Sequence, residues 1–253
     1  PAPGGWTKPR EYRGKLKIVS KYFASADYVA SSNKHMLDFQ LSTFKHKQGL
    51  RSNVLLTPSP NEEYHFPVSN EELILYTGSL YGLRNPNYMF GAFKRLLKTY
   101  PNARLQLVGM KHRLRQMDDI LSVEERERVI ISPHTSNLAP LFERARVLID
   151  IDADREKDPF LSSKIITYLK TNRMILCETG KDTPSREMFH GYKTIIQCDH
   201  NEDSFYDGLM RAMELSQSEQ DYSEREPLIK AFSIDVVCSI FWEDIKALCN
   251  VSE

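Results

Sequence analysis

Residues 158–177 read Asp158-Pro-Phe-Leu-Ser-Ser-Lys-Ile-Ile-Thr-Tyr-Leu-Lys-Thr-Asn-Arg-Met-Ile-Leu-Cys177. Ser162-Ser163 is a polar entry to an apolar-periodic helix that carries Ile165, Ile166, Tyr168 and Leu169. The pattern breaks at Thr171-Asn172 and resumes as a short buried strand, Met174-Ile175-Leu176-Cys177. A helix that begins at the carboxyl edge of a parallel sheet presents unpaired N–H groups and the positive end of its dipole. With Lys164 in the first turn, this helix start is a candidate seat for a phosphate.

On either side the same alternation continues. Short apolar runs recur at Leu73–Tyr76, Leu105–Val108, Val129–Ile131, Val147–Ile149, Met174–Cys177 and Thr194–Ile196. Each is too short for a stable helix and suits a buried strand. Helix-period stretches lie between them, marked by Tyr88, Phe90, Phe93, Leu96 and Leu97, and later by Leu138, Leu141, Phe142 and Ala145. Six strands alternating with helices predict an α/β fold, a doubly wound, Rossmann-like parallel sheet with helices on both faces. Its carboxyl edge is then the ligand edge.

Residues 1–66 differ. Glu11–Phe23 and Asn33–Phe44 read as helices, Tyr28–Ser31 and Val54–Leu56 as strands, and the Pro-punctuated Thr57–Pro67 as an inter-domain linker. Two strands and two helices are a thin core, so a 1–66 remnant of one domain and a 67–253 second domain are expected. A chain that starts on Pro1 reads as a piece of a longer one. Ile234–Leu248 reads as a terminal amphipathic helix.

Net charge is zero, but residues 1–51 carry ten Lys or Arg against three acids, a surplus of +7. That lobe faces an anionic acceptor or a lipid headgroup surface, or it is a solvated helical face whose acidic partners lie elsewhere; both readings are open. No apolar run approaches the roughly 20 residues of a membrane span. The four cysteines form no CxxC pair, and Cys177 and Cys238 sit in apolar patterns. Buried free thiols and a cytoplasmic compartment are expected.

The strand ends carry the chemistry. Tyr76-Thr77-Gly78-Ser79-Leu80-Tyr81-Gly82-Leu83-Arg84 places a glycine at a sharp turn and a guanidinium before the next helix, where its fork suits a diphosphate. Gly109 and Lys111 follow the second strand, and His134 follows the third. After the fourth comes Asp150-Ile-Asp152-Ala-Asp154-Arg-Glu156-Lys-Asp158, which lacks the glycine and closing glutamate of a calcium loop and reads as a solvated loop. A D-x-D metal–nucleotide motif is the other reading. The absence of G-x-G-x-x-G and Walker A patterns disfavours ordinary NAD and ATP binding. No triad signature is present, and basic residues without interleaved aromatics speak against nucleic acid.

Four segments resemble the carboxyl-terminal, donor-binding domain of retaining GT-B glycosyltransferases. They are Leu73-Ile-Leu-Tyr-Thr-Gly-Ser-Leu80, Leu105-Gln-Leu-Val-Gly109, Asn137–Ile149 and Phe160-Leu-Ser-Ser-Lys-Ile-Ile-Thr-Tyr-Leu169, the last similar to Phe-Leu-Pro-Ser-Lys-x-x-Glu-Tyr-Leu. Ala26–Ser32 and Val54–Pro60 look like the tail of the acceptor domain and the hinge. The resemblance implies sugar transfer from a nucleotide diphosphate sugar to a glycan or lipid-linked acceptor, with no obligatory metal, and it allows peripheral contact with the membrane surface. Gly78 and Ser79 would then lie at the donor, Arg84 and Lys164 would neutralise the diphosphate, and the amides of Ser162, Ser163 and Lys164 would cap it. Gly109 and Lys111 would share that rim, and His134 would lie near the base. The family's usual Glu is replaced here by Thr167, which offers a hydroxyl but no charge, and another frequent carboxylate is replaced by Pro159. These departures raise an alternative, a non-catalytic GT-B-like partner subunit. A different nucleotide-using α/β enzyme, such as an epimerase, is a third reading without a motif of its own.

Overall fold

The structure is a computed structural model and describes residues 9–110 and 114–249. The chain begins with α1 (Pro9–Ser25), β1 (Tyr28–Ser31), α2 (Lys34–Thr43) and β2 (Arg51–Val54). Asn33 caps α2 by accepting from the Met36 amide at 2.9 Å. β1 and β2 pair in parallel as a small sheet of their own. The second strand was expected at Val54–Leu56 but lies at Arg51–Val54. Its first pairing is fixed by the Arg51 amide donating to Asp27 O at 3.1 Å, and its polar Arg51-Ser52-Asn53 start hides an edge strand from an apolar pattern.

Beyond an irregular segment, residues 57–67, whose strand-like pairing is limited to an isolated bridge from Tyr64 to Thr171, the larger sheet begins. Its elements in order are β3 (Leu73–Thr77), α3 (Asn87–Leu96), β4 (Arg104–Val108), α4 (Arg115–Ile120), α5 (Val123–Arg126), β5 (Val129–Ser132), α6 (Ala139–Arg144), β6 (Ala145–Ile151), α7 (Ser163–Leu169), β7 (Met174–Glu178), α8 (Pro184–Met188), β8 (Ile195–Cys198) and α9 (Glu202–Leu215). All pairings are parallel, and the strand order is β5-β4-β3-β6-β7-β8. Winding reverses between β3 and β6, so their carboxyl ends form the switch point where open α/β sheets take ligands.

Strand alternation divides the core between two faces. Ile74 and Tyr76 pack with Phe90 and Phe93 of α3 and Phe205 and Leu209 of α9. Leu75 packs with Phe142 of α6 and Ile165 and Leu169 of α7. Each fully buried side chain of this size contributes about 1.5–3 kcal/mol relative to exposure.

The chain then crosses back through α10 (Glu226–Ala231) to α11 (Ile234–Cys249). Asp244 of α11 accepts from the Tyr28 hydroxyl and from Asn53 Nδ2, which ties the last helix to the small sheet. The crossing is anchored by Arg225, a fully buried guanidinium that donates to Thr171 O at 2.9 Å, Arg173 O at 2.8 Å and Thr194 O at 2.6 Å. Cys177 and Cys198 are buried, but Cys238, expected inside, is exposed because α11 buries none of its residues fully. Among the described residues no helix is long and apolar enough to cross a membrane.

Candidate functional site

The turns after β3 and β4 are laced together by backbone. The Gly78 amide donates to Val108 O at 2.8 Å, and the Gly109 amide to Ser132 O at 2.9 Å. Gly78 has φ +108° and Gly109 φ +95°, conformations that L side chains rarely adopt. A Cβ on Gly109 would stand 3.3 Å from Gly78 O, and one on Gly78 would stand 3.3 Å from Lys164 Cε. The sequence therefore uses glycine here to bring a lysine side chain directly against the backbone of the rim.

Helix α7 is held against β3 by Tyr168, whose hydroxyl accepts from the Thr77 amide at 2.9 Å and shares a 2.8 Å hydrogen bond with Thr77 Oγ1. That staple points the first turn of α7 at the switch point. Lys164 Nζ lies 4.8 Å from the centre of the Tyr76 ring and donates to Asp150 Oδ1 at 2.8 Å. Burial opposes the ammonium charge, but Asp150, Tyr76 and Tyr168 outweigh it and raise Lys164 above its ordinary range. Ser162 caps no amide with its hydroxyl; Oγ donates to Asp150 Oδ1 at 2.9 Å.

Arg84 reaches the same place from the other side. Its Nε donates to Ile151 O at 2.9 Å, and its guanidinium stacks 4.4 Å from the Tyr81 ring and 5.6 Å from Phe160. Arg84 is only 7% exposed, and its buried Nη1 has no hydrogen-bond partner in the described chain. Asp150 Oδ2 is likewise buried and without a partner. Arg84 and Lys164 thus converge on Tyr76 and Asp150. A buried guanidinium corner that the chain leaves unsaturated is suited to an anion.

The other expected residues are less tightly placed. Ser79 is exposed, with Oγ 3.5 Å from Gly109 O. Ser163 is the exposed first residue of α7, and Thr167 is half-buried one turn further on. His134 is exposed in the turn after β5, the outermost strand, about 10 Å from the end of β3 by strand spacing. Lys111 lies outside the described residues.

The acidic run 150–158, which starts inside β6, is a correction. It was read as a solvated loop, yet Asp150, Asp152 and Asp158 are 0%, 2% and 3% exposed. Strand alternation carries Asp150 and Asp152 inward on the face of Leu148, beneath α7. Burial, with Asp150 adjacent, pushes the Asp152 carboxyl up to about 7. On the next strand, burial pushes Glu178 up to about 7 against the pull of His200, whose Nδ1 lies 2.8 Å from Glu178 Oε1. Burial works against protonated His200, but Glu178 raises it. Tyr168 reads in the sequence only as part of the apolar face of its helix, not as the staple to Thr77, and the Glu178–His200 pair is not singled out there. The period-2 spacing of Asp150 and Asp152 could have revealed their inward face.

The small sheet's lobe closes over this edge. Asn33 Nδ2 donates to Pro159 O at 3.0 Å, and His35 Nε2 lies 2.8 Å from Glu187 Oε2. The small lobe thus touches the chain on either side of α7, at Pro159 and at Glu187.

The chain matches no protein-family model and no curated protein by sequence. It is similar to solved glycosyltransferase structures. Anabaena HepE in complex with UDP-glucose superposes with a TM-score of 0.73 at 12% identity, covering 95% of this chain and 70% of that one. A mutant of S. aureus TarM in complex with fondaparinux, alpha-GlcNAc-glycerol and UDP gives 0.72 at 10% identity, over 91% and 46%. The pneumococcal O-GlcNAc transferase GtfA in complex with UDP and GlcNAc gives 0.70 at 10% identity, over 96% and 48%. The likeness establishes the fold, the Rossmann-like α/β architecture of these GT-B structures. The chain spans less than half the length of TarM and GtfA.

Proposed function

We propose that this chain is the donor-binding half of a glycosyltransferase that moves a sugar from a nucleotide diphosphate sugar to a glycan or lipid-linked acceptor. Residues 67–253 form the nucleotide-sugar domain in this reading, and residues 1–66 the tail of the acceptor domain with its hinge. The observation that carries it is the unsaturated Arg84 guanidinium near Lys164 at the β3/β6 switch point, where Gly78 lets the lysine side chain lie against the rim backbone. Arg84 and Lys164 would balance charge on the leaving diphosphate, so the scheme needs no obligatory metal. Asp150 is a positioning residue that holds Lys164. HepE and GtfA were solved with UDP or UDP-glucose, which makes uridine nucleotides the first donors to try. The basic first lobe suits an anionic acceptor or contact at the cytoplasmic membrane surface.

Thermal melting tests this. A UDP-sugar at about 100 times its Kd raises Tm by roughly 5–10 °C. If UDP, GDP, ADP and their sugars all leave the melting curve in place at millimolar concentration, the reading fails.

A second reading, a GT-B-like partner without turnover, draws on Thr167 and Pro159. The first lacks the carboxylate that would hold ribose hydroxyls, and the carbonyl of the second is engaged by Asn33. Donor binding that appears only in Thr167→Glu would favour it.

A further inference from the structure

We propose that a cavity at the amino edge of the large sheet is a second binding site, and that it takes a neutral oligosaccharide. Its volume is about 800 Å³, within the range of ligand pockets. It is bounded by Ala145 at the start of β6, by the Thr171–Arg173 turn before β7, by the 59–69 linker and by the crossing segment from Ser216 to Asp235. The donor rim lies at the other end of β6, about 20 Å away at the rise of a seven-residue strand. The two sites do not share a residue, so this inference stands whether or not the donor reading holds.

The chemistry of the lining selects the ligand class. Four cations, Arg146, Lys170, Arg173 and Lys230, stand against four carboxylates, so the cavity has no net charge to draw an anion. The deepest cations are already used. Arg173 donates to Phe142 O at 2.8 Å, Pro67 O at 3.0 Å and Glu143 O at 3.0 Å, and Lys170 donates to Pro60 O at 2.9 Å and Asn61 O at 3.1 Å. Asn172 and the Gln220 amide nitrogen are also bonded within the chain, so what the wall offers instead is Ser59, Asn61 and the serine hydroxyls at 216, 218 and 233, which keep donor or acceptor capacity beyond the single bond each makes, as sugar hydroxyls do. Tyr222 adds an aromatic surface, its ring backed by Arg225 at 4.9 Å, with a phenol at its tip. Among the described residues two connections join the lobes, the linker and the crossing segment, and both line this cavity. A glycan bound there would therefore touch both hinges.

The test is calorimetric titration of the full chain with maltotetraose, cellotetraose and chitotetraose, each with and without saturating UDP, and with inositol hexakisphosphate as an anionic probe. At least one neutral tetrasaccharide should bind with unchanged affinity in the presence of UDP. Filling the cavity from exposed lining positions, with Ser218→Trp and separately Lys230→Trp, should weaken that binding about tenfold or more while circular dichroism stays native. Either variant suffices if the other misfolds. The proposal is overturned if no tetrasaccharide of the panel binds, if UDP displaces it, or if both folded variants bind as wild type. Inositol hexakisphosphate binding that the same variants abolish, without sugar binding, overturns the ligand class.

Discussion

Arg84 is the residue on which the proposed donor site rests. Its Nε is fixed by a strand-end carbonyl and its guanidinium carbon lies 4.4 Å from the Tyr81 ring and 5.6 Å from Phe160, while the buried Nη1 is left without a partner. A charge-assisted hydrogen bond from such a group is worth roughly 1.5–3 kcal/mol. Arg84→Ala should therefore weaken UDP binding about 10- to 100-fold by titration calorimetry, and Arg84→Lys should not restore it because the stacked fork is lost. Wild-type affinity in Arg84→Ala removes the residue from the site. Its position was legible because an arginine between a strand-end glycine and a helix is a spacing the sequence displays. Asp150 was not: an acidic run looks solvated, and only the fold shows that β6 carries its carboxylate under α7 to pair Lys164.

At the scale of elements, the ends of β6, β7 and β8 bring Asp152, Glu178 and His200 together under burial. Both carboxyls sit at about 7, above their ordinary values of 3.8 and 4.5, so between about pH 4 and 7 the folded state holds more protons than the unfolded one. His200, also raised, adds the same sign. This part of the stability is complete only below about pH 4 and is lost progressively as pH rises to about 7. Glu71 beside Arg144 and Asp182 beside Lys157 are lowered instead, and their exposed pairs lose their small contribution below about pH 4. Melting scans should show Tm falling by about 5 °C from pH 5.5 to 8, with a flatter profile in Glu178→Gln. A Tm that rises over that interval contradicts the assignment. The six strands themselves were legible because buried parallel strands are continuous apolar runs that glycine and polar turns punctuate. β2 was displaced because an exposed edge strand need not be apolar, and Cys238 was misplaced because α11 lies on the surface with its apolar residues half-covered.

Across the whole molecule, two lobes are joined by a linker and a returning helix, and Arg225 fixes the return. Removing its guanidinium strands three carbonyls in the interior, so Arg225→Ala should cost about 3–5 kcal/mol and lower Tm by roughly 10 °C. A loss of less than about 2 °C would show that the crossing is held by other contacts. The sequence does not reveal this anchor, since an arginine in a polar stretch gives no sign that it will be buried. The proposed function depends on the β3/β6 rim holding a diphosphate. The most direct test is a two-dimensional amide NMR spectrum followed through a UDP titration. The largest shifts should fall on Gly78, Gly109 and Lys164. Shifts confined to residues elsewhere, or none at saturating UDP, would contradict it.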